Sequence, residues 1–144
     1  MKRVNVFVSQ PMQGLNPTYI AEVREKLLDE FRDWGIDAGI FDENVEIYDV
    51  NYDYDKEPED KDAGRLWYLG RSIQTMELAD FVIFHKDWSN ASGCSVEHRV
   101  ATEYFGYRIH PSCAVPETAL YLDDVRAFGR ITHNIEDIFF NRKY

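Results

Sequence analysis

The sequence predicts an α/β domain: a parallel sheet with helices on both faces. Three observations lead there. A short β-branched run, Val4 to Val8, opens the chain. A helical stripe follows it at once, and a second fully apolar run, Phe81 to Phe84, comes after another helical stripe and before a third. Strands that alternate with helices pair in parallel and need cover on both sides. At 144 residues the chain fits one domain, 1–144, with enough length to bury a core without disulfides or metal.

Each element has its own signal. Val4 to Val8 is bounded by Ser9-Gln10-Pro11, which breaks the strand pattern. From Pro17 the period becomes helical, with Tyr19, Ile20, Val23, Leu27, Leu28, Phe31 and Trp34 on one stripe. Asn16 is placed to cap this helix, with Pro17 at its first position and Gly35 at its end. Ala38 to Phe41 reads as a second strand, followed by a long acidic, tyrosine-rich loop of the kind that forms lids or binding loops. A second helix is expected over Leu66 to Leu78, with Leu66, Leu69, Ile73 and Met76 on its apolar face. Phe81 to Phe84 is short and wholly apolar, as in buried parallel strands. Asp87 to Gly93 is turn-rich, and Ser95 to Phe105 reads as a third helix closed by Gly106. Tyr107 to Ile109 and Ala119 to Leu122 are the last expected strands, and Asp123 to Phe140 reads as a mixed terminal helix.

Charge narrows the partners. The net charge is −10, which disfavours a nucleic acid polymer because phosphate backbones need a basic footprint. Asp42 to Asp62 holds ten acidic residues against two lysines, or −8, so the rest of the chain carries only −2 and leaves room for a small anionic ligand. No apolar run approaches the roughly 20 residues of a membrane span. Two cysteines, Cys94 and Cys113, are too few for a disulfide framework, so a cytoplasmic protein is expected.

In open parallel sheets ligands bind beyond the carboxyl ends of the strands. Two loops lie there: Ser9 to Gly14 after the first strand, and Asp87 to Ser95 after the Phe81–Phe84 strand. The first offers a hydroxyl, two amides and a glycine just before a helix. It lacks the Lys-Ser/Thr ending of a phosphate-binding P-loop and the dinucleotide glycine pattern. In the second, Ser92 or Ser95 would cap the third helix and place Glu97 in its first turn. There the helix dipole favours an ionised carboxylate, as a nucleophile requires; a capping-box glutamate has the same spacing. Cys94 and His98 stand four apart, but no third ligand is near, so no metal is expected. Arg65, Arg71 and Arg99 are candidate phosphate partners, and Asp80 stands at a strand start where it serves either a site or the structure.

Three blocks, VFVSQPMQG (Val6–Gly14), LGRSIQTMELAD (Leu69–Asp80) and WSNASGCSVEHRVA (Trp88–Ala101), resemble the nucleoside 2-deoxyribosyltransferase superfamily in order and spacing. They are most similar to a small bacterial and phage branch, and also similar to nucleoside 5′-monophosphate N-glycosidases. The resemblance runs from Val4 to about Ile109. It implies a flavodoxin-like (Rossmann-like) sheet and Glu97 as the carboxylate that attacks C1′ of the sugar and expels the base. Ser9, Gln10, Met12 and Gly14 would then line the sugar and base. Ser92 and Ser95, with help from Arg71 or Arg99, would hold a phosphate, with Gly93, Ser72 and Asp80 as further substrate-binding positions. The resemblance implies no cofactor, a small nucleoside or nucleotide as partner, and a homo-oligomer in which the aromatic tail (Phe139, Phe140, Tyr144) completes a neighbour's site. The sequence departs from the transferases where Ser72 and Asn90-Ala91-Ser92 stand in place of acidic residues that handle the leaving base. Water as acceptor is therefore the leading expectation. Base exchange and a non-catalytic nucleotide-binding or sequestering module are the alternatives.

Overall fold

The computed structural model describes residues 3–51, 64–108 and 125–130. The element order is β1 (Arg3–Ser9), α1 (Pro17–Asp37), β2 (Glu46–Asp49), α2 (Arg65–Met76), β3 (Phe81–His85), α3 (Ser92–Glu103), β4 (Tyr107–Arg108) and β5 (Val125–Arg130). They build one five-stranded sheet in the order β2-β1-β3-β5-β4. β1 pairs in parallel with both β2 and β3. The order 2-1-3 with helices on both faces is that of a flavodoxin-like sheet. β5 departs from the parallel expectation, since it runs antiparallel to β3 and to β4.

Alternation along the strands divides the core in two. Val4, Val6, Val8, Phe81 and Ile83 face α1 and pack on Leu27, Phe31 and Trp34. Phe7, Val82 and Phe84 face the other way and pack on Met76 of α2 and Ala101 of α3. On the first face Phe31 is the hub. Its ring lies 5.4 Å from Trp34, 5.4 Å from Phe41 and 5.2 Å from Phe81, all inclined as aromatic quadrupoles prefer.

α1 starts as its sequence dictates: Asn16 Oδ1 accepts the Thr18 amide at 2.8 Å, and Pro17 fills the first helical position. Its end differs. Gly35 lies inside the helix, which runs to Asp37, and Gly39 supplies the left-handed turn at φ 73°. Gly35 is there for close approach, because a Cβ would overlap the Phe41 ring. The Gly35 carbonyl accepts the amides of both Ile40 and Phe41. That closure makes residues 38–41 the turn that terminates α1 and not a second strand. The second strand is β2, four residues inside the acidic stretch, where Ile47 packs against the α1-side core.

α2 begins one residue before the expected Leu66, and Leu66 itself is 83% exposed, so the buried side is Ser72, Thr75 and Met76. α3 begins at Ser92, three residues earlier than expected. The span expected as a terminal helix contains β5, because Val125–Arg130 pairs with β3 over its length. The expected strand over 119–122, the acidic residues 52–62 and the aromatic tail (139, 140, 144) lie outside the described residues. Among the described residues no helix is long and apolar enough to cross a membrane.

Candidate active site

β1 ends on Ser9, which is paired with Phe84 near the end of β3, so both strands deliver their carboxyl ends to one edge. Over that edge lies the start of α3. Ser9 Oγ donates to Glu97 Oε1 at 3.2 Å, joining two residues 88 positions apart in the chain. The pair is shut away from solvent: Ser9 is 1% exposed and Glu97 8%. Cys94, one turn before Glu97 on the same helix, is also buried and lies beside Ser9.

Burial dominates the electrostatics. It pushes the Glu97 carboxyl up to about 7 from its ordinary 4.5, against the Ser9 hydrogen bond and the positive field of Arg24, which both favour the charged form. The Cys94 thiol is pushed up to about 11, first by burial and then by the neighbouring carboxylate. This corrects the expectation drawn from the helix dipole. The residue before α3 is Ala91, no side chain caps the helix, and Glu97 is its sixth residue. The dipole acts within the first turn, so at Glu97 it is outweighed by desolvation.

Arg24 organises the rest of this edge from α1. Its Nε donates to Gln10 Oε1 at 3.0 Å, Nη1 stands 3.8 Å from Asp49 Oδ2, and Nη2 lies 3.9 Å from the Met12 sulfur. Gln10 spends its other end on α1, donating from Nε2 to the Ile20 carbonyl at 3.1 Å. Asp49 Oδ1 accepts the Asn51 amide at 2.9 Å. Asn51 in turn extends the β1–β2 ladder with its side chain, accepting the Val8 amide at 3.0 Å and donating to the Val8 carbonyl at 3.4 Å. One connected set of polar contacts thus runs from β2 through Arg24 to the loop after β1. Met12 is exposed, and Gly14 takes φ 77° to turn the chain into α1.

Other expected residues fall on both sides of this line. Ser92 and Gly93 form the exposed first turn of α3, where Arg65 Nη2 donates to Ser92 Oγ at 3.2 Å and ties the start of α2 to it. Ser95 Oγ donates to the Ser89 carbonyl at 3.4 Å. Ser72 is buried on α2, one turn before Met76. Asp80 stands apart from the group. Its Oδ2 accepts the Asn5 amide at 2.9 Å and its own amide donates to the Asn5 carbonyl at 2.7 Å, fastening the amino end of β3 to β1. Asn5 is four residues before Ser9, about 13 Å away along an extended strand. Arg71 bonds Gln74 and Arg99 bonds Glu103 on exposed helix surface. Asp87 is exposed beside His85.

Cys94 and His98 do not act together: Cys94 turns to Ser9, whereas the His98 ring stacks on Trp88 at 3.8 Å and meets Phe84 edge-on. No cluster of three or more His, Cys, Asp or Glu able to hold a metal occurs among the described residues.

Arg24, Asp49 and Asn51 escaped the sequence reading. Arg24 did leave a signal: four residues after Ile20 and three before Leu27, it is a charge inside the apolar stripe of α1. Comparison of the chain with protein-family models, with characterised proteins and with solved structures finds no match in any of the three.

Proposed function

We propose that this protein cleaves the N-glycosidic bond of a (2′-deoxy)nucleoside or nucleoside 5′-monophosphate through Glu97, with water as acceptor. The observation that carries this reading is the Ser9–Glu97 pair, a buried carboxylate held at 3.2 Å over the carboxyl edge of β1 and β3. Two of the three sequence blocks that resemble the deoxyribosyltransferase superfamily, Val6–Gly14 and Trp88–Ala101, meet at that edge through Ser9 and Glu97, and the resemblance supplies the substrate class.

The geometry is consistent with a two-step displacement at C1′. Ser9 occupies Oε1 of Glu97, so Oε2 is the oxygen that meets C1′. As the C1′–N bond breaks, its electron pair goes to the base nitrogen, the base takes a proton from solvent, and an ester joins Glu97 to C1′. Water then attacks C1′, the C1′–O bond to Glu97 breaks with its electron pair returning to the carboxylate, and one water proton passes to solvent, which leaves the free sugar, as in a retaining glycosidase. A nucleophile that ionises near neutral pH meets the requirement that its charged form be populated but weakly solvated. A 5′-phosphate finds donors in the uncapped first turn of α3 and in Arg65 beside Ser92.

The test is chromatographic. Purified protein is incubated with each deoxynucleoside, ribonucleoside and 5′-monophosphate, with and without an acceptor base, beside Glu97→Gln. Base release without acceptor, lost in the variant, supports hydrolysis and names the substrate. Release only with acceptor replaces hydrolysis by base exchange. Binding without release from any substrate, by folded protein, refutes the enzymatic reading in favour of a nucleotide-binding module.

A further inference from the structure

We propose that Ser9 is a positioning residue, whose hydroxyl, donated from the end of β1 to Glu97 Oε1 at 3.2 Å, holds the carboxylate ionised and oriented for attack. The use of that orientation rests on the proposed function; the effect on ionisation does not.

A buried carboxylate lacks the water that would solvate its charge. With 8% exposure Glu97 has little access to water, so its charge depends on the groups that face it. Among the described residues these come from three directions: Ser9 from β1, Arg24 from α1 with Asp49 of β2 behind it, and Cys94 from the preceding turn of α3. Arg24 divides its donors among Gln10, Asp49 and Met12 and acts on Glu97 only through its field. Ser9 touches the carboxylate directly.

A hydroxyl has one hydrogen and two lone pairs. Ser9 has two neighbours in reach, Glu97 and Cys94. Ser9 gives its single hydrogen to Glu97 Oε1 at 3.2 Å, which leaves only lone pairs of Oγ for its other neighbour. A hydrogen bond to a charged acceptor is roughly twice as strong as one between neutral groups, so this arrangement favours the ionised carboxylate. It also fixes which oxygen is engaged and which remains for C1′.

The test reads the ionisation of Glu97 without any substrate. Full-length protein labelled with ¹³C at the glutamate carboxyls is titrated by NMR, with the Glu97 signal identified by its loss in Glu97→Gln. Loss of one charge-assisted hydrogen bond in Ser9→Ala raises the Glu97 midpoint by about one pH unit. Cys94→Ala removes a buried neighbour of similar size but leaves the Ser9 donor, and moves the midpoint by no more than a few tenths. The proposal is overturned if the midpoint in Ser9→Ala stays at the wild-type value, or if Cys94→Ala moves it as far, which would make the effect one of packing. Because the readout is a titration, absence of base release counts against the proposed reaction and leaves this result to stand or fall alone.

Discussion

Replacing Glu97 by Gln should make the protein more stable, and increasingly so as the pH rises. Glu97 is raised in the folded state from 4.5 to about 7, so the folded protein binds a proton that the unfolded chain has already lost. Stability attached to this group is therefore complete below about 4.5. It falls as pH climbs towards 7 and is flat beyond. The interval from 4.5 to about 7, at about 1.4 kcal/mol per pH unit, amounts to about 3 kcal/mol, and burial leaves little solvent to screen it. Gln keeps an oxygen for Ser9 and never ionises. Denaturant unfolding of both proteins from pH 4.5 to 8 isolates the effect, because all other groups cancel in the difference. The stability of Glu97→Gln minus wild type should grow by about 3 kcal/mol across that range and level off above pH 7. A difference that stays constant with pH would mean that Glu97 ionises at its ordinary value and that burial does not perturb it. A difference that shrinks would reverse its sign.

Four further outcomes follow. If Glu97 attacks as the carboxylate, the rate of base release falls about tenfold per pH unit below about 7, and a profile flat down to pH 5 would rule out this group as the nucleophile. Arg24→Met keeps the aliphatic stem but removes the positive field, so the Glu97 midpoint moves up; an unmoved midpoint in an NMR titration would deny Arg24 that influence. Gly35→Ala drives a methyl into the Phe41 ring and costs on the order of 1–3 kcal/mol, measurable as a lowered denaturation midpoint; unchanged stability would contradict that contact. Phe31→Ala empties the centre of the α1-side aromatic cluster and costs about 3–5 kcal/mol, and a loss under 1 kcal/mol would mean that the cluster is not closely packed.

The strand–helix alternation was legible because each signal was local. Val4 to Val8, the stripe from Tyr19 to Trp34 and Phe81 to Phe84 carry their periods in adjacent residues. The misplaced second strand came from a tertiary contact. Residues 38–41 have strand-like composition, but Phe41 folds back onto Gly35 and Phe31, and the strand forms where Ile47 reaches the same core. The antiparallel direction of β5 was equally hidden, since direction is decided by pairing with β3 and not by anything within Val125–Arg130.

The site divides in the same way. Glu97 and Ser9 were each marked by their place in a loop or helix start, and the fold brings them together. That they touch, that Cys94 lies beside the hydroxyl and that Arg24 crosses from α1 all depend on contacts remote in sequence. The charge state of Glu97 was misjudged for a related reason. A helix dipole is visible in sequence, whereas the desolvation that outweighs it appears only once β1 and α3 are packed. Asp80 shows the reverse: its strand-start position suited a ligand contact or a structural one, and the bonds to Asn5 identify the structural use.

The most direct test of Glu97 as nucleophile is the rate of base release by Glu97→Gln relative to wild type, on whichever nucleoside or nucleotide the wild type cleaves, above pH 7 where the carboxylate is charged. The variant should lose on the order of a thousandfold or more, as removal of a nucleophile does. A folded Glu97→Gln protein that releases base within tenfold of the wild-type rate would contradict the account.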